Sequence, residues 1–173
     1  MKKKLIFATG NEGKMKEVRE ILADSGYEIL SMKEAGVDLE IVEDGTTFEE
    51  NALIKARAVM EATGELTLAD DSGLEIDAFD GGPGVYSSRY LGEDTPYTEK
   101  NQIILDKMKD VPEQERTARF VCVIAAIFPD GQTYTTRGTM EGIIGYEASG
   151  ENGFGYDPIF YLPELKKYSA QLS

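Results

Sequence analysis

The chain contains no histidine, no tryptophan and a single cysteine, Cys122, in 173 residues. Without histidine there is no Ser-His or Cys-His catalytic pair, no HExxH zinc helix and no imidazole acid/base chemistry. One cysteine allows neither an internal disulfide nor a CxxC site. Positive charge is also scarce: 18 basic residues stand against 32 acidic ones, a formal net charge of -14. Such a surface repels phosphate backbones, which argues against general nucleic-acid binding. Long apolar runs are missing as well. The longest, Phe120 to Phe128, falls far short of the roughly 20 residues needed to cross a bilayer. Met1 to Lys4 is basic, but the apolar stretch behind it, Leu5 to Ala8, is too short for a signal peptide. With Cys122 read as a buried free thiol, these absences point to a cytoplasmic protein with no membrane partner. The chemistry left open uses carboxylates, hydroxyls, amides, lysines and a hard metal.

What is present reads as an α/β protein. A strand over Leu5 to Thr9 runs into Gly10-Asn11-Glu12-Gly13-Lys14. Met15, Val18, Ile21 and Leu22 then recur at helical spacing up to Gly26. Thr47-Phe48-Glu49-Glu50 has the form of a capping box, opening a second helix that ends near Gly64. Leu66 to Ala69 predicts a short strand that runs into Asp70-Asp71-Ser72-Gly73 at its end, with Leu74, Ile76 and Ala78 alternating as a further strand beyond it. Tyr97 to Met108 predicts a third helix. Phe120 to Phe128 predicts a central strand covered on both faces, turned by Pro129-Asp130-Gly131 into a polar antiparallel strand, Gln132 to Arg137. The glycine-rich segment Ala148 to Pro158 is a loop long enough to suggest function.

Four stretches could carry chemistry. Thr9, Gly10, Asn11, Glu12, Gly13 and Lys14 combine a flexible turn, helix-start amides and an ammonium group, which suits phosphate. The spacing fits neither a Walker A loop nor GxGxxG. Asp70 and Asp71 are neighbours on extended chain and so face opposite ways; one can meet a metal while the other bonds loop amides. Glu43, in Glu43-Asp44-Gly45, could join Asp71 in holding Mg²⁺, and Lys55, one helical turn after Asn51, could reach a phosphate. Phe154, Gly155, Tyr156 and Asp157 offer aromatic faces for a base and polar groups for its edge. Each stretch alone has an ordinary reading as a βα turn, an acidic turn, a solvated lysine or a loop covering the core edge. Together they are the parts of a nucleotide-processing site, and metal-assisted attack of water on phosphorus needs no histidine.

The same stretches, with Gly82-Pro83-Gly84-Val85-Tyr86-Ser87-Ser88-Arg89-Tyr90 between them, resemble the inosine/xanthosine triphosphate pyrophosphatases, the RdgB-like proteins, over nearly the whole chain. The resemblance implies an elongated mixed sheet flanked by helices, with two lobes and a central nucleotide cleft. It implies a homodimeric, Mg²⁺-dependent hydrolase acting on dITP, ITP and XTP to give the monophosphate and pyrophosphate. By position, Thr9 to Lys14 would hold the triphosphate and Ser72 would contact substrate. Glu43 and Asp71 would bind the metal, Asp71 would accept the proton of the attacking water, and Phe154 to Asp157 would flank base and sugar. Residues 1–173 then form one domain. The family's further lysine, Ser-His-Arg segment and C-terminal helix, which belong to purine recognition, have no counterpart here. The chain is therefore expected to be a C-terminally truncated form or one with impaired base selectivity. Two alternatives stand beside this reading: a pyrophosphatase for modified pyrimidine nucleotides, and a catalytically silent nucleotide-binding module.

Overall fold

A computed structural model describes residues Met1–Ser173. Its regular elements are β1 (Lys3–Phe7), α1 (Glu12–Ile21), β2 (Tyr27–Ser31), α2 (Phe48–Thr63), β3 (Leu66–Ile76), β4 (Gly82–Pro83), α3 (Tyr97–Lys107), β5 (Thr117–Ile127), β6 (Thr133–Ile144), β7 (Phe160–Leu162) and β8 (Lys167–Tyr168). The strands form one mixed sheet in the order β2-β1-β3-β5-β6-β7-β8, with β4 paired to β3. β1 runs parallel to both β2 and β3, while β4, β7 and β8 pair antiparallel to their neighbours. The chain divides into two compact units, Met1–Asp71 with Cys122–Arg137 and Ser72–Val121 with Gly138–Ser173.

In the first unit, the apolar end of β1 and one face of each of two helices are buried. Leu5, Ile6 and Phe7 are buried together with Met15 of α1 and Phe48, Ala52, Ala56 and Val59 of α2. The i, i+4, i+8 spacing of Phe48, Ala52 and Ala56 puts them on one helical face. α2 begins where the sequence says it should. The Thr47 hydroxyl accepts from the Glu50 amide at 3.1 Å, and Gly64 ends the helix in the left-handed region at φ 68°. The reciprocal half of the capping box is displaced by one residue. The Glu50 carboxylate accepts from the Thr46 amide at 2.7 Å and from the Thr46 hydroxyl. The parallel strand β2 was not anticipated, because Tyr27–Ser31 shows no clean apolar alternation.

The second unit has its own core, in which Leu74, Ile76, Ile104, Leu105, Met108, Ala118, Ile144, Tyr156, Ile159, Phe160 and Leu162 pack together. A fully buried arginine, Arg116, ties it up: its guanidinium donates to the carbonyls of Met108, Ile144 and Gly145 and lies over the Tyr146 ring. Carbonyl acceptors and an aromatic face satisfy its donors without a carboxylate partner.

Three expectations are corrected. Asp70-Asp71-Ser72-Gly73 does not separate two strands; it lies inside the continuous eleven-residue strand β3, whose pairing with β1, β5 and β4 keeps the backbone extended. β5 is covered on one face rather than two. Val121, Val123, Ala125 and Ile127 are buried, whereas Ile124 and Ala126 are only half-buried. Cys122 sits on that second side and is exposed, so the inference drawn from a buried thiol falls away. No helix is long and apolar enough to cross a membrane.

Candidate active site

The first unit gathers the charged residues. After β1 the chain turns at Thr9, whose hydroxyl accepts from the Asn11 amide at 3.1 Å. Asn11 then caps α1, its side-chain oxygen accepting from the Lys14 amide at 3.1 Å. These bonds fix the turn, while the other first-turn amides of α1 lack helical partners by construction. Gly10 has ordinary backbone angles, and a Cβ there would meet nothing within 4 Å. Its lack of a side chain leaves open space for an approaching group.

From α1 the Lys14 ammonium reaches Asp70 on β3, Nζ to Oδ2 at 2.6 Å. The Asp70 side chain is only 4% exposed, while the Lys14 side chain keeps 25% of its surface in solvent. The two aspartates meet different partners, and Asp70 grips the lysine of the glycine turn rather than loop amides. Asp71 points the other way, towards α2. There Asn51, 1% exposed, donates to the Asp71 carboxylate and accepts from the Gly45 amide at 2.8 Å. Gly45 is required by close approach, since a Cβ would lie 2.7 Å from both Asn51 Oδ1 and Glu50 Cβ. This contact brings the Glu43-Asp44-Gly45 segment against α2, where Glu43 meets Lys55, Nζ to Oε1 at 3.1 Å.

Asp71 is pushed up to about 6 from 3.8. Burial is the main cause; the Lys55 charge and the Asn51 hydrogen bond oppose it, while Glu43 and Asp70 add to it. Its Oδ2 is buried with no hydrogen-bond partner in the protein. A buried carboxylate oxygen without a donor, beside a second carboxylate and a lysine, is suited to a hard cation. No group of three or more Asp, Glu, Cys or His side chains converges as a self-sufficient metal cage. A hard cation such as Mg²⁺ needs only one or two carboxylates, its remaining positions being filled by water and substrate phosphates.

The second unit holds the aromatic loop. Gly153 and Gly155 adopt φ of 72° and 64°, conformations that favour glycine. Both Asp157 oxygens are engaged within the unit: Oδ2 accepts from the Phe154 amide and Oδ1 from the Ser169 hydroxyl, each at 2.9 Å. Tyr156 is 4% exposed. Its hydroxyl donates to the Ser87 carbonyl, and its ring meets Tyr97 edge-on at 5.1 Å. Burial raises the Tyr156 phenol well above its usual range. Phe154, by contrast, is 44% exposed. Of the loop's two aromatics, Phe154 offers a free face and Tyr156 is an anchor. Ser72 follows Asp71 on β3 and is half-buried.

The match to a family model decides the classification: residues 5–173 match the Ham1 family. The chain belongs to the Ham1 family. A dITP/XTP pyrophosphatase of Desulforamulus reducens is 52% identical over 169 residues, covering 98% of this chain and 84% of that one. A dITP/XTP pyrophosphatase of Bacillus subtilis is 47% identical over 171 residues, covering 99% and 86%. Among solved structures, the Ham1 protein of Staphylococcus aureus superposes with a TM-score of 0.87 at 43% identity, covering 99% of this chain and 87% of that one.

For this Ham1-family chain, the structure brings Thr9, Asn11 and Lys14 together in one turn, and groups Glu43, Lys55 and Asp71. One participant, Asn51, was not assigned a place in the site from sequence, and the pairing of Lys14 with Asp70 was not foreseen. Asn51 was noted only as a helical neighbour of Lys55, although a buried amide one turn before a lysine was a usable signal. The partner of Asp70 had no local signal, because Lys14 is 56 residues away.

Proposed function

We propose that this protein is a nucleoside triphosphate pyrophosphatase that hydrolyses non-standard purine nucleotides, dITP, ITP and XTP, to the monophosphate and pyrophosphate. The observation that carries the reading is the Asp71 carboxylate, with one oxygen buried and unpartnered and Glu43, Lys55 and Asn51 around it. The relatives' names as dITP/XTP pyrophosphatases support the substrate class. The same family reading carries Mg²⁺, a homodimer and a cytoplasmic setting.

Glu43 and Asp71 would hold Mg²⁺, which when bound neutralises phosphate charge and polarises the α-phosphorus. The chain's own residues supply the rest. Water attacks the α-phosphorus, its proton passes to an Asp71 oxygen, and the bond to the bridging oxygen breaks to release pyrophosphate. In the metal-free protein burial lifts the Asp71 carboxyl to about 6, and a bound cation would draw it back down. Lys14 and the first-turn amides of α1 stabilise the charge that develops on the leaving pyrophosphate. Lys55 adds a second ammonium for the phosphates, and Thr9 to Gly13 shape the turn that receives them. Phe154 stacks on the purine, while Tyr156 and Asp157 hold the loop that presents it.

The test is pyrophosphate release from dITP, XTP, dATP and dGTP, each with Mg²⁺ and with EDTA. Metal-dependent release favouring dITP and XTP is expected. Tight Mg²⁺-dependent nucleotide binding without release would instead mark a silent binding module.

A further inference from the structure

We propose that Asn101, on α3, is a positioning residue for base recognition: its side-chain amide sets the backbone of the loop that presents Phe154. The inference rests on the reading of that loop as the purine-facing element, and all the residues it uses lie within the second unit.

The loop has little regular structure to stiffen it. Gly150, Gly153 and Gly155 all adopt positive φ, and glycine has the widest choice of conformations to lose. Three side chains anchor its tip, Phe154 to Asp157. Asp157 binds the Phe154 amide and Ser169, and the Tyr156 hydroxyl binds the Ser87 carbonyl. The third is Asn101, whose Nδ2 donates to the Gly155 carbonyl at 3.1 Å. The Asp157 amide donates to the Phe154 carbonyl at 3.3 Å, and Asn101 is the side chain that holds the next carbonyl, Gly155, where a glycine could otherwise swing the Phe154 ring away.

Asn101 is 3% exposed, and its Oδ1 is buried with no hydrogen-bond partner. A buried acceptor left unpaired costs stability, and an apolar residue of similar shape would avoid that cost. Folding alone therefore does not explain an asparagine here; the grip on Gly155 does. The rest of the helix start supports the same peptide. A Cβ at Gly155 would lie 3.7 Å from the Tyr97 ring. Below that ring the buried Lys100 ammonium sits 4.7 Å from its centre and donates to the Ser88 carbonyl at 2.9 Å. Tyr97, Lys100 and Asn101 thus form a platform against which Gly155 is pinned.

The experiment compares wild type, Asn101→Leu, Asn101→Asp and Phe154→Ala by steady-state kinetics on dITP and dATP, with thermal melting of each. Asn101→Leu removes both the grip and the unpaired oxygen. Asn101→Asp keeps the shape and turns the donor into an acceptor facing a carbonyl. Both should raise KM for dITP about tenfold, the loss of one hydrogen bond, with kcat within about twofold and the dITP preference over dATP reduced. The Asn101→Leu melting temperature should stay at the wild-type value. An unchanged KM in both Asn101 variants, with a raised KM in Phe154→Ala, would overturn the proposal and leave the base-loop reading standing. A fall in kcat that tracks a lower melting temperature would also overturn it, marking a purely structural residue. An unchanged KM in Phe154→Ala would overturn the base-loop reading and this proposal with it.

Discussion

The groups assigned to phosphate and metal differ in kind from those assigned to the base. In the first unit the lysines are already committed to carboxylates, Lys14 to Asp70 and Lys55 to Glu43. A triphosphate and its cation must therefore exchange partners rather than find bare charges, which suits a chain with net charge -14. In the second unit the anchors of the Phe154 loop are neutral hydrogen bonds, a buried phenol and an aspartate turned onto its own loop. One region is built to trade ion pairs, the other to hold an aromatic ring still. Changes in the first should register in metal dependence, turnover and charge; changes in the second should register in base discrimination.

The sharpest break is Asp71→Asn. Losing the proton acceptor and a metal-facing oxygen should cut kcat by about 10²–10⁴-fold while the chain still folds. The same variant sharpens the electrostatic side. In the metal-free protein the folded Asp71 value, about 6, lies above the ordinary 3.8, so protonation favours the fold. That contribution is present below about pH 4 and is lost as pH rises through about 6. Metal-free Asp71→Asn should therefore melt higher than wild type at pH 8, with the gap closing at pH 4. Near-equal melting curves at pH 8 would show that Asp71 is not held against a desolvation cost. In wild type, kcat/KM should rise through a limb near pH 6, moving down as Mg²⁺ loads the site.

Lys14→Ala comes next. It should raise KM by about 10–100-fold, the loss of one or two charge-assisted bonds to phosphate. It also takes the ammonium away from the buried Asp70 carboxylate, which should lower the stability of the fold. Lys14→Ala/Asp70→Asn should recover much of that stability but none of the affinity, which separates the two roles by melting and kinetics. On the other side of the comparison, Gly153→Ala would drive a Cβ to 2.2 Å from Asp157 Oδ2 at a φ of 72°. The strain is worth about 1–3 kcal/mol. It should detach Asp157 from the Phe154 amide, lowering discrimination between dITP and dATP with kcat changed less than in Asp71→Asn. A Gly153→Ala effect confined to kcat would erase the contrast between the two regions.

The sequence made the local devices legible. Thr47 as a cap, Gly64 as a stop, the Gly10 turn and the opposed directions of Asp70 and Asp71 all follow from spacings of a few residues. What stayed hidden depends on contacts across the chain. The continuity of β3 through Asp70-Asp71-Ser72-Gly73 was masked because acidic and glycine residues usually signal a turn. Cys122 looked buried because its apolar neighbours gave no hint that one face of β5 is thinly covered. The phosphate, metal and loop residues were found as separate stretches. The bonds joining Lys14 to Asp70 and Asn101 to Gly155 span 56 and 54 residues, a range at which no local pattern operates.

The central claim is that water, relieved of its proton at Asp71, attacks the α-phosphorus. Hydrolysis of dITP with Mg²⁺ in ¹⁸O-labelled water tests it directly, with mass analysis of the products. The account predicts label in the monophosphate and none in pyrophosphate. Label in pyrophosphate, or release of the diphosphate with inorganic phosphate, would contradict it.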